Sequence, residues 1–391
     1  MNPFGALLDR LPSRRLRRAE ALAAAGRPEA AFRVLAIAAR AGDPEAEFRV
    51  GRAYLTAQGV PPSRVDAVHW LRRAAEAGHV EAQATLATLY VQGLAAAAPA
   101  AELRPAAALF GTPATLAEPD YDQALHWARR AAEAGSAEGQ ALLGFVLTSG
   151  PEALRDPAGA ESWYRRAAEG GSPQGAFGLG LALLHRATTE PEKQEAARWI
   201  ATAAEADLPS AIYLMGVMHE TGAGRPADPQ AAVACYGRAA EKGVRSAQAK
   251  FGLALLEGRG TARDPATGES WLRRAALAGD REAAALVGDL YARGGDLPPN
   301  YAEAAIWFTR AAEAGHAAAA RALGLLYSTG AGVMRDPAEA ARWFRLAAEG
   351  GNREAPADLA NLVLGGDAAP EDSQRTRQWF EAAAGNGDLV A

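Results

Sequence analysis

Cysteine is nearly missing from this chain: Cys235 is the only one in 391 residues, so no internal disulfide can form. Long apolar runs are missing too. Although 49% of the residues are hydrophobic, no stretch of about 18 is continuously apolar, so no segment reads as a transmembrane helix. Met1 to Ala25 carries arginines but no continuous apolar stretch before a cleavage site, which argues against a secretory leader. Motifs of chemistry are equally scarce. There is no His-Glu-x-x-His helix for zinc, no Gly-x-Ser-x-Gly elbow for a nucleophile and no phosphate loop ending in Gly-Lys-Ser/Thr. Pairs such as Gly258 and Gly260 follow no strand and are a weak nucleotide signal. Of six histidines, His69 and His126 share one position and His79 and His316 another, each pair without an obvious third metal ligand. The expectation is no enzyme, no cofactor and no metal.

Charge excludes a further class. Residues 1–40 hold eight arginines against Asp9, Glu20 and Glu29, a balance of +5, so the net −5 of the whole chain leaves −10 for the remainder. An acidic body lacks the electrostatics that neutralising many phosphates demands, so nucleic acid is not an expected partner.

What the chain has is a ruler. All eight tryptophans, at 70, 127, 163, 199, 271, 307, 343 and 379, fall 36 or 72 residues apart, except one spacing of 57, which is 36 plus an insertion of 21. The skipped mark at 235 holds Cys235, and Val34 stands on a first, diverged mark. Such a period is the signature of stacked supersecondary units. Eight residues after the marks stand Gly42, Gly78, Gly135, Gly171, Gly243, Gly279, Gly315, Gly351 and Gly387, with Asp207 the exception, as suits a left-handed helix end. Seven before stand Ser63, Asp120, Asp156, Asp228, Asp264, Asn300, Asp336 and Asp372, with Glu192 the exception, as suits helix N-caps. Each unit thus reads as a capped helix carrying the mark and a second helix carrying a small residue: Gly51, Ala87, Gly144, Gly180, Gly216, Gly252, Gly288, Gly324 or Ala360. A mid-helix glycine costs about 1 kcal/mol against alanine, so its recurrence implies close helix crossing.

The runs Ala304-Ala-Ile-Trp-Phe-Thr-Arg-Ala-Ala-Glu-Ala-Gly315 and Ala340-Ala-Arg-Trp-Phe-Arg-Leu-Ala-Ala-Glu-Gly-Gly351 resemble the Sel-one-like repeat family, relatives of tetratricopeptide repeats, from about residue 27 to 391. The resemblance implies an all-α, right-handed α/α superhelical solenoid of about ten repeats. It further implies a protein-binding scaffold or adaptor using its concave face, in bacteria often in signalling, envelope assembly or exopolysaccharide control. The single cysteine separates the chain from the family's cysteine-rich secreted members and favours a bacterial cytoplasm. A solenoid grows by adding repeats, so 391 residues read as one domain, 27–391, behind capping helices at 1–26. The basic segment Arg14, Arg15, Arg17 and Arg18 reads as part of that cap, its other reading being contact with a membrane surface. An alanine- and proline-rich insertion occupies 94–119.

Within the mark helix, positions −3, 0, +1, +4 and +5 from the mark share one apolar arc and are expected in the core. Cys235 is expected to be an inert buried thiol. The opposite face carries arginines at +2 and +3 with a glutamate near +6, a solvated face of helix ion pairs. Exceptions gather toward the C-terminal half. Leu277 takes the glutamate position beside Arg273 and Arg274, Ile306 stands at an exposed position beside Arg310, and Leu346 replaces an arginine. An apolar strip rimmed by arginine is what an acidic, partly apolar peptide requires, so these six residues are the expected partner-binding surface. Alternatives are a metal- or small-molecule-dependent hydrolytic activity in the groove, and self-association through the solenoid ends.

Overall fold

The computed structural model describes residues 14–93, 118–294, 299–365 and 381. Phe4, Leu7, Leu8 and Leu11, most of the 94–119 insertion, Asp372, Trp379 and Gly387 lie outside the described residues. Nineteen α-helices and one short 3-10 turn make up the described chain, which has no strand.

α1 (Arg14–Ala24) leads into helix pairs. The mark helices are α2 (Pro28–Arg40), α4 (Arg64–Glu76), α6 (Tyr121–Glu133), α8 (Pro157–Glu169), α10 (Glu190–Glu205), α12 (Pro229–Glu241), α14 (Pro265–Leu277), α16 (Tyr301–Glu313) and α18 (Pro337–Glu349). Between them run the small-residue helices α3 (Pro44–Thr56), α5 (Val80–Val91), α7 (Ala137–Ser149), α9 (Pro173–Arg186), α11 (Pro209–Thr221), α13 (Arg245–Glu257), α15 (Arg281–Arg293), α17 (Ala317–Thr329) and α19 (Ala355–Leu364).

The punctuation acts as its chemistry requires. Ser63, Asp120, Asp156, Asp228, Asp264, Asn300 and Asp336 each accept a hydrogen bond from a backbone N–H of the first turn. Glu192 departs from the pattern because α10 starts earlier: Thr189 is its N-cap, and the Glu192 carboxylate accepts the Thr189 backbone N–H at 2.9 Å, a capping box. Asp207 takes the left-handed conformation, φ 66°, that glycine takes in the other repeats.

The small-residue slot is where the helices touch. A Cβ on Gly144 would meet the Tyr164 ring at 2.8 Å, on Gly216 the Tyr236 ring at 2.6 Å, and on Gly288 or Gly324 the ring of Phe308 or Phe344 at 2.6 Å. These partners all stand one residue after the mark, at most 6% exposed. The tight pair is therefore each small-residue helix with the mark helix that follows, half a repeat out of phase with a unit opened by the mark helix. Connections use the same economy of space. Gly332, φ +72°, lies so close to the start of α16 that a Cβ would stand 2.3 Å from the Tyr301 carbonyl carbon.

The apolar arc is core: alanines at −3, +4 and +5 are nearly all below 9% exposed. The tryptophans sit at its edge. Trp127, Trp307 and Trp343 are buried, while Trp70, Trp163, Trp199 and Trp271 are half-buried. Cys235 is likewise half-buried, and burial pushes its thiol up from the ordinary value, which keeps it protonated and unreactive. α1 buries Leu16 and Ala19, Leu16 joining Ala38, Ala39, Ala46 and Val50, and leaves its four arginines exposed.

Packing divides the chain into two compact units, 1–208 and 209–391. The division falls at the boundary between two repeats, after α10 and before α11.

Candidate partner-binding surface

Leu277 and Ile306 are 63% and 61% exposed, large values for aliphatic side chains on well-formed helices. Leu277 ends α14. Arg310 of α16 donates from Nη1 to the carbonyl of Ala276, one residue before it, at 3.4 Å, and Ile306 stands one turn before Arg310. In the other direction Arg273 of α14 lays its guanidinium 5.4 Å from the centroid of Trp307, the residue after Ile306. The two helices are thus interlocked by Arg273 and Arg310, with an aliphatic residue beside each.

Leu346, 39% exposed, stands on α18 at the position Arg274 holds on α14 and Arg310 on α16. In several other repeats that position carries an arginine stacked on its own mark tryptophan: Arg73 on Trp70 at 4.8 Å, Arg166 on Trp163 at 4.7 Å, Arg274 on Trp271 at 4.7 Å. On α18 the stacking passes to Arg342, 5.1 Å from the Trp343 centroid, which leaves the Leu346 position open to an apolar residue. Among the half-buried marks, Trp70, Trp163 and Trp271 carry such a guanidinium over the indole, whereas Trp199 has Thr202 at that position.

Two arginines of this face pair backward along the helix, with glutamates four residues before them: Arg165 with Glu161 at 3.3 Å and Arg273 with Glu269 at 3.4 Å. Glutamate N-terminal to the cation is the arrangement that the helix dipole favours. Arg273 therefore has a carboxylate despite Leu277, and it also donates to the Tyr291 hydroxyl at 3.3 Å. Arg274 and Arg310 form no ion pair with the described residues, so the positive rim rests on these two.

The histidine pairs have structural roles. His79 and His316 are N-caps, accepting from Ala82 and Ala319 through Nδ1, while Nε2 faces Glu45 at 2.8 Å and Glu282 at 3.0 Å in the preceding repeat. Burial works to raise the Glu45 carboxyl, but hydrogen bonds from His79 and Arg49 outweigh it and hold the group below its ordinary value. His69 and His126 stand edge-on to Trp70 and Trp127. Among the described residues no group of three or more His, Cys, Asp or Glu side chains is placed to hold a metal ion, and no helix is long and apolar enough to cross a membrane.

Two features escaped the sequence pattern. Phe145, Leu181 and Leu325, 39–42% exposed, follow the slot glycine of α7, α9 and α17. Reading the residue after each slot would have found them, since it is Arg52, Thr88 and Asp289 in other repeats. The second is a cleft at His219 and Arg225, which belongs to a single repeat and leaves no periodic trace.

The sequence profile of the Sel1 repeat matches nine segments: 44–79, 107–136, 137–172, 173–208, 209–244, 246–280, 281–316, 317–352 and 354–388. Apart from 107–136, the profile's segments open on the small-residue helix, in the same phase as the tight helix pairs. No curated protein matches the chain. Among solved structures the chain is similar to a Sel1 repeat protein from Oxalobacter formigenes, at 29% identity and a TM-score of 0.55 over 84% of this chain and 89% of that one. It is also similar in fold to a protective antigen present in uropathogenic Escherichia coli strains displaying an SLR fold, at 24% identity and a TM-score of 0.65 over 91% of this chain and 72% of that one. With nine copies of the repeat along its length and this all-α stack of helix pairs, the chain belongs to the Sel1 repeat family.

Proposed function

We propose that this protein is a protein-binding scaffold or adaptor of the bacterial cytoplasm, and that it holds an acidic, partly apolar segment of its partner against Arg273, Arg274, Leu277, Ile306, Arg310 and Leu346. The observation that carries the reading is the pairing of two aliphatic residues more than 60% exposed with two guanidiniums, Arg274 and Arg310, that have no carboxylate among the described residues. Apolar side chains supply the buried area of such a contact. Unpaired arginines select the charge of the partner and offer paired N–H donors to its carboxylates. Signalling, envelope assembly and exopolysaccharide control are the settings in which a scaffold of this kind would serve. Selection from a displayed random-peptide library against the full chain tests the reading. Enriched sequences should combine Asp or Glu with Leu, Ile or Phe, and should lose binding to a Leu277→Glu/Ile306→Glu/Leu346→Glu chain. Enrichment of basic sequences, or binding indifferent to the three substitutions, would reject it.

A further inference from the structure

One connection in the second unit is built unlike its counterparts. In three other repeats an arginine eight residues before the mark folds back and donates from Nε to a carbonyl of its own segment: Arg155 to Gly150 at 3.1 Å, Arg263 to Leu256 at 3.0 Å and Arg335 to Ser328 at 3.0 Å. In the connection between α11 and α12 that position is Ala227, and the arginine stands two residues earlier, as Arg225. Its Nε is buried and has no acceptor among the described residues. Its Nη1 lies 2.6 Å from Nε2 of His219, and no carboxylate of the described residues pairs with it.

His219 is equally out of pattern. Sixteen residues before six of the other marks stand Tyr54, Leu147, Leu183, Leu255, Tyr291 and Tyr327, whereas here the slot holds an imidazole. Because a guanidinium only donates, Nε2 is the acceptor and the ring proton sits on Nδ1, which is also buried without a partner among the described residues. Burial, and then the Arg225 charge, push the His219 pKa below its ordinary value, in agreement with a neutral ring. The neighbouring Glu220 is occupied elsewhere, by the Tyr236 hydroxyl at 2.7 Å and Lys250 at 2.9 Å. Arg225 and His219 line an open cleft of about 760 Å³ together with Asp228, Pro229 and Gly260.

A half-buried guanidinium that has no carboxylate partner among the described residues and lines an open cleft favours an anion there. The cleft carries one full positive charge, since the imidazole is neutral, and the Asp228 carboxylate lines it too, so a monoanion fits better than a dianion. We propose that this cleft binds a carboxylate, received by the Arg225 guanidinium, with His219 orienting that group. The carboxylate is supplied either by an acidic side chain of a protein or by a small free acid. The site is independent of the strip at Leu277 and Ile306.

Nuclear magnetic resonance of the full chain tests it, with the His219 ring signals, assigned by loss in His219→Gln, as reporter. Titration with sodium acetate, with an acetylated and amidated peptide carrying one aspartate, and with inorganic phosphate, all at matched ionic strength in chloride, should give saturable shifts for the two carboxylates. Arg225→Gln should weaken both at least about tenfold, because charge-assisted hydrogen bonds are lost. Tighter binding of the peptide than of acetate assigns the carboxylate to a protein chain, and equal binding assigns it to a small acid. Arg225→Lys keeps the charge without the paired donors and should also bind more weakly, which preserves the test if Arg225→Gln melts early. No saturable shift, a preference for phosphate, or unchanged affinity in both Arg225 variants would overturn the proposal.

Discussion

Replacing Gly288 by alanine sets two known effects against each other at a single site. Alanine gains about 1 kcal/mol over glycine in a helix interior. The added Cβ would stand 2.6 Å from Cδ1 and Cε1 of Phe308, well inside the 3.5–4.0 Å at which carbons attract. Phe308 is 3% exposed in a packed core, so its ring cannot turn aside without displacing neighbours, and overpacking of this kind costs about 1–3 kcal/mol. A double contact this short belongs at the upper end, so a net loss of about 1–2 kcal/mol is expected. In a Phe308→Ala background, itself destabilised by about 3–5 kcal/mol, the obstacle is gone and Gly288→Ala should become stabilising by about 1 kcal/mol. The change of sign makes the coupling about 2–3 kcal/mol. The chain contains its own precedent: where the slot is Ala87, the residue after the next mark shrinks to Ala128, and both are fully buried. The counterpart of the other alanine, Ala360, is Phe380, which lies outside the described residues. Urea unfolding of the four chains, with hydrogen exchange of α15 and α16 to localise the effect, measures the cycle. Gly288→Ala having the same sign and size in both backgrounds would refute the close-crossing argument.

Gly332→Ala should cost about 2–4 kcal/mol, since the residue has φ +72° and its Cβ would strike backbone atoms of Tyr301 and Ala302 that cannot repack; the urea midpoint reads it. Ala57 ends α3 with φ 54°, a conformation that strains a Cβ, so Ala57→Gly should stabilise by about 0.5–1 kcal/mol in the same assay. Glu220 is held below the ordinary carboxylate pKa: burial acts to raise it, but hydrogen bonds from Tyr236 and Lys250 outweigh that. A depressed folded pKa means that its contribution is complete above the unfolded value of about 4.3 and is lost as pH falls through the folded value. Glu220→Gln should therefore lower stability at pH 7 and flatten the acid limb of the stability curve below about pH 5, as thermal melts across pH would record.

The periodic part of this fold was legible because period is what a sequence displays best. Mark, cap, slot and helix-ending glycine each recur at one offset, and each does locally what its residue type requires. The departures were harder. Glu192 breaks the cap pattern only because Thr189 starts the helix earlier, and nothing in the 36-residue register announces that. The burial of the tryptophans was read from the helical arc alone, which treats position 0 as core. The structure buries Trp127, Trp307 and Trp343 as the arc requires and leaves Trp70, Trp163, Trp199 and Trp271 at its margin, where on all but Trp199 an arginine three residues on adds cover. At Arg273 the pairing runs back along the helix, so Glu269 neutralises it despite Leu277, while Arg274 and Arg310 keep the positive rim. The His219 and Arg225 cleft was invisible to any pattern, because it arises where a repeated arginine has moved by two residues and lost its carbonyl.

The most direct test of the scaffold reading is affinity purification from the native host of the intact chain and of a Leu277→Glu/Ile306→Glu/Leu346→Glu chain, both melting at the same temperature. The reading predicts a stoichiometric protein partner on the first and its loss from the second. The same partner on both chains would contradict the assigned surface. No partner on either, together with stabilisation by a metal ion or metabolite, would contradict the scaffold itself and favour a small-molecule activity in its place.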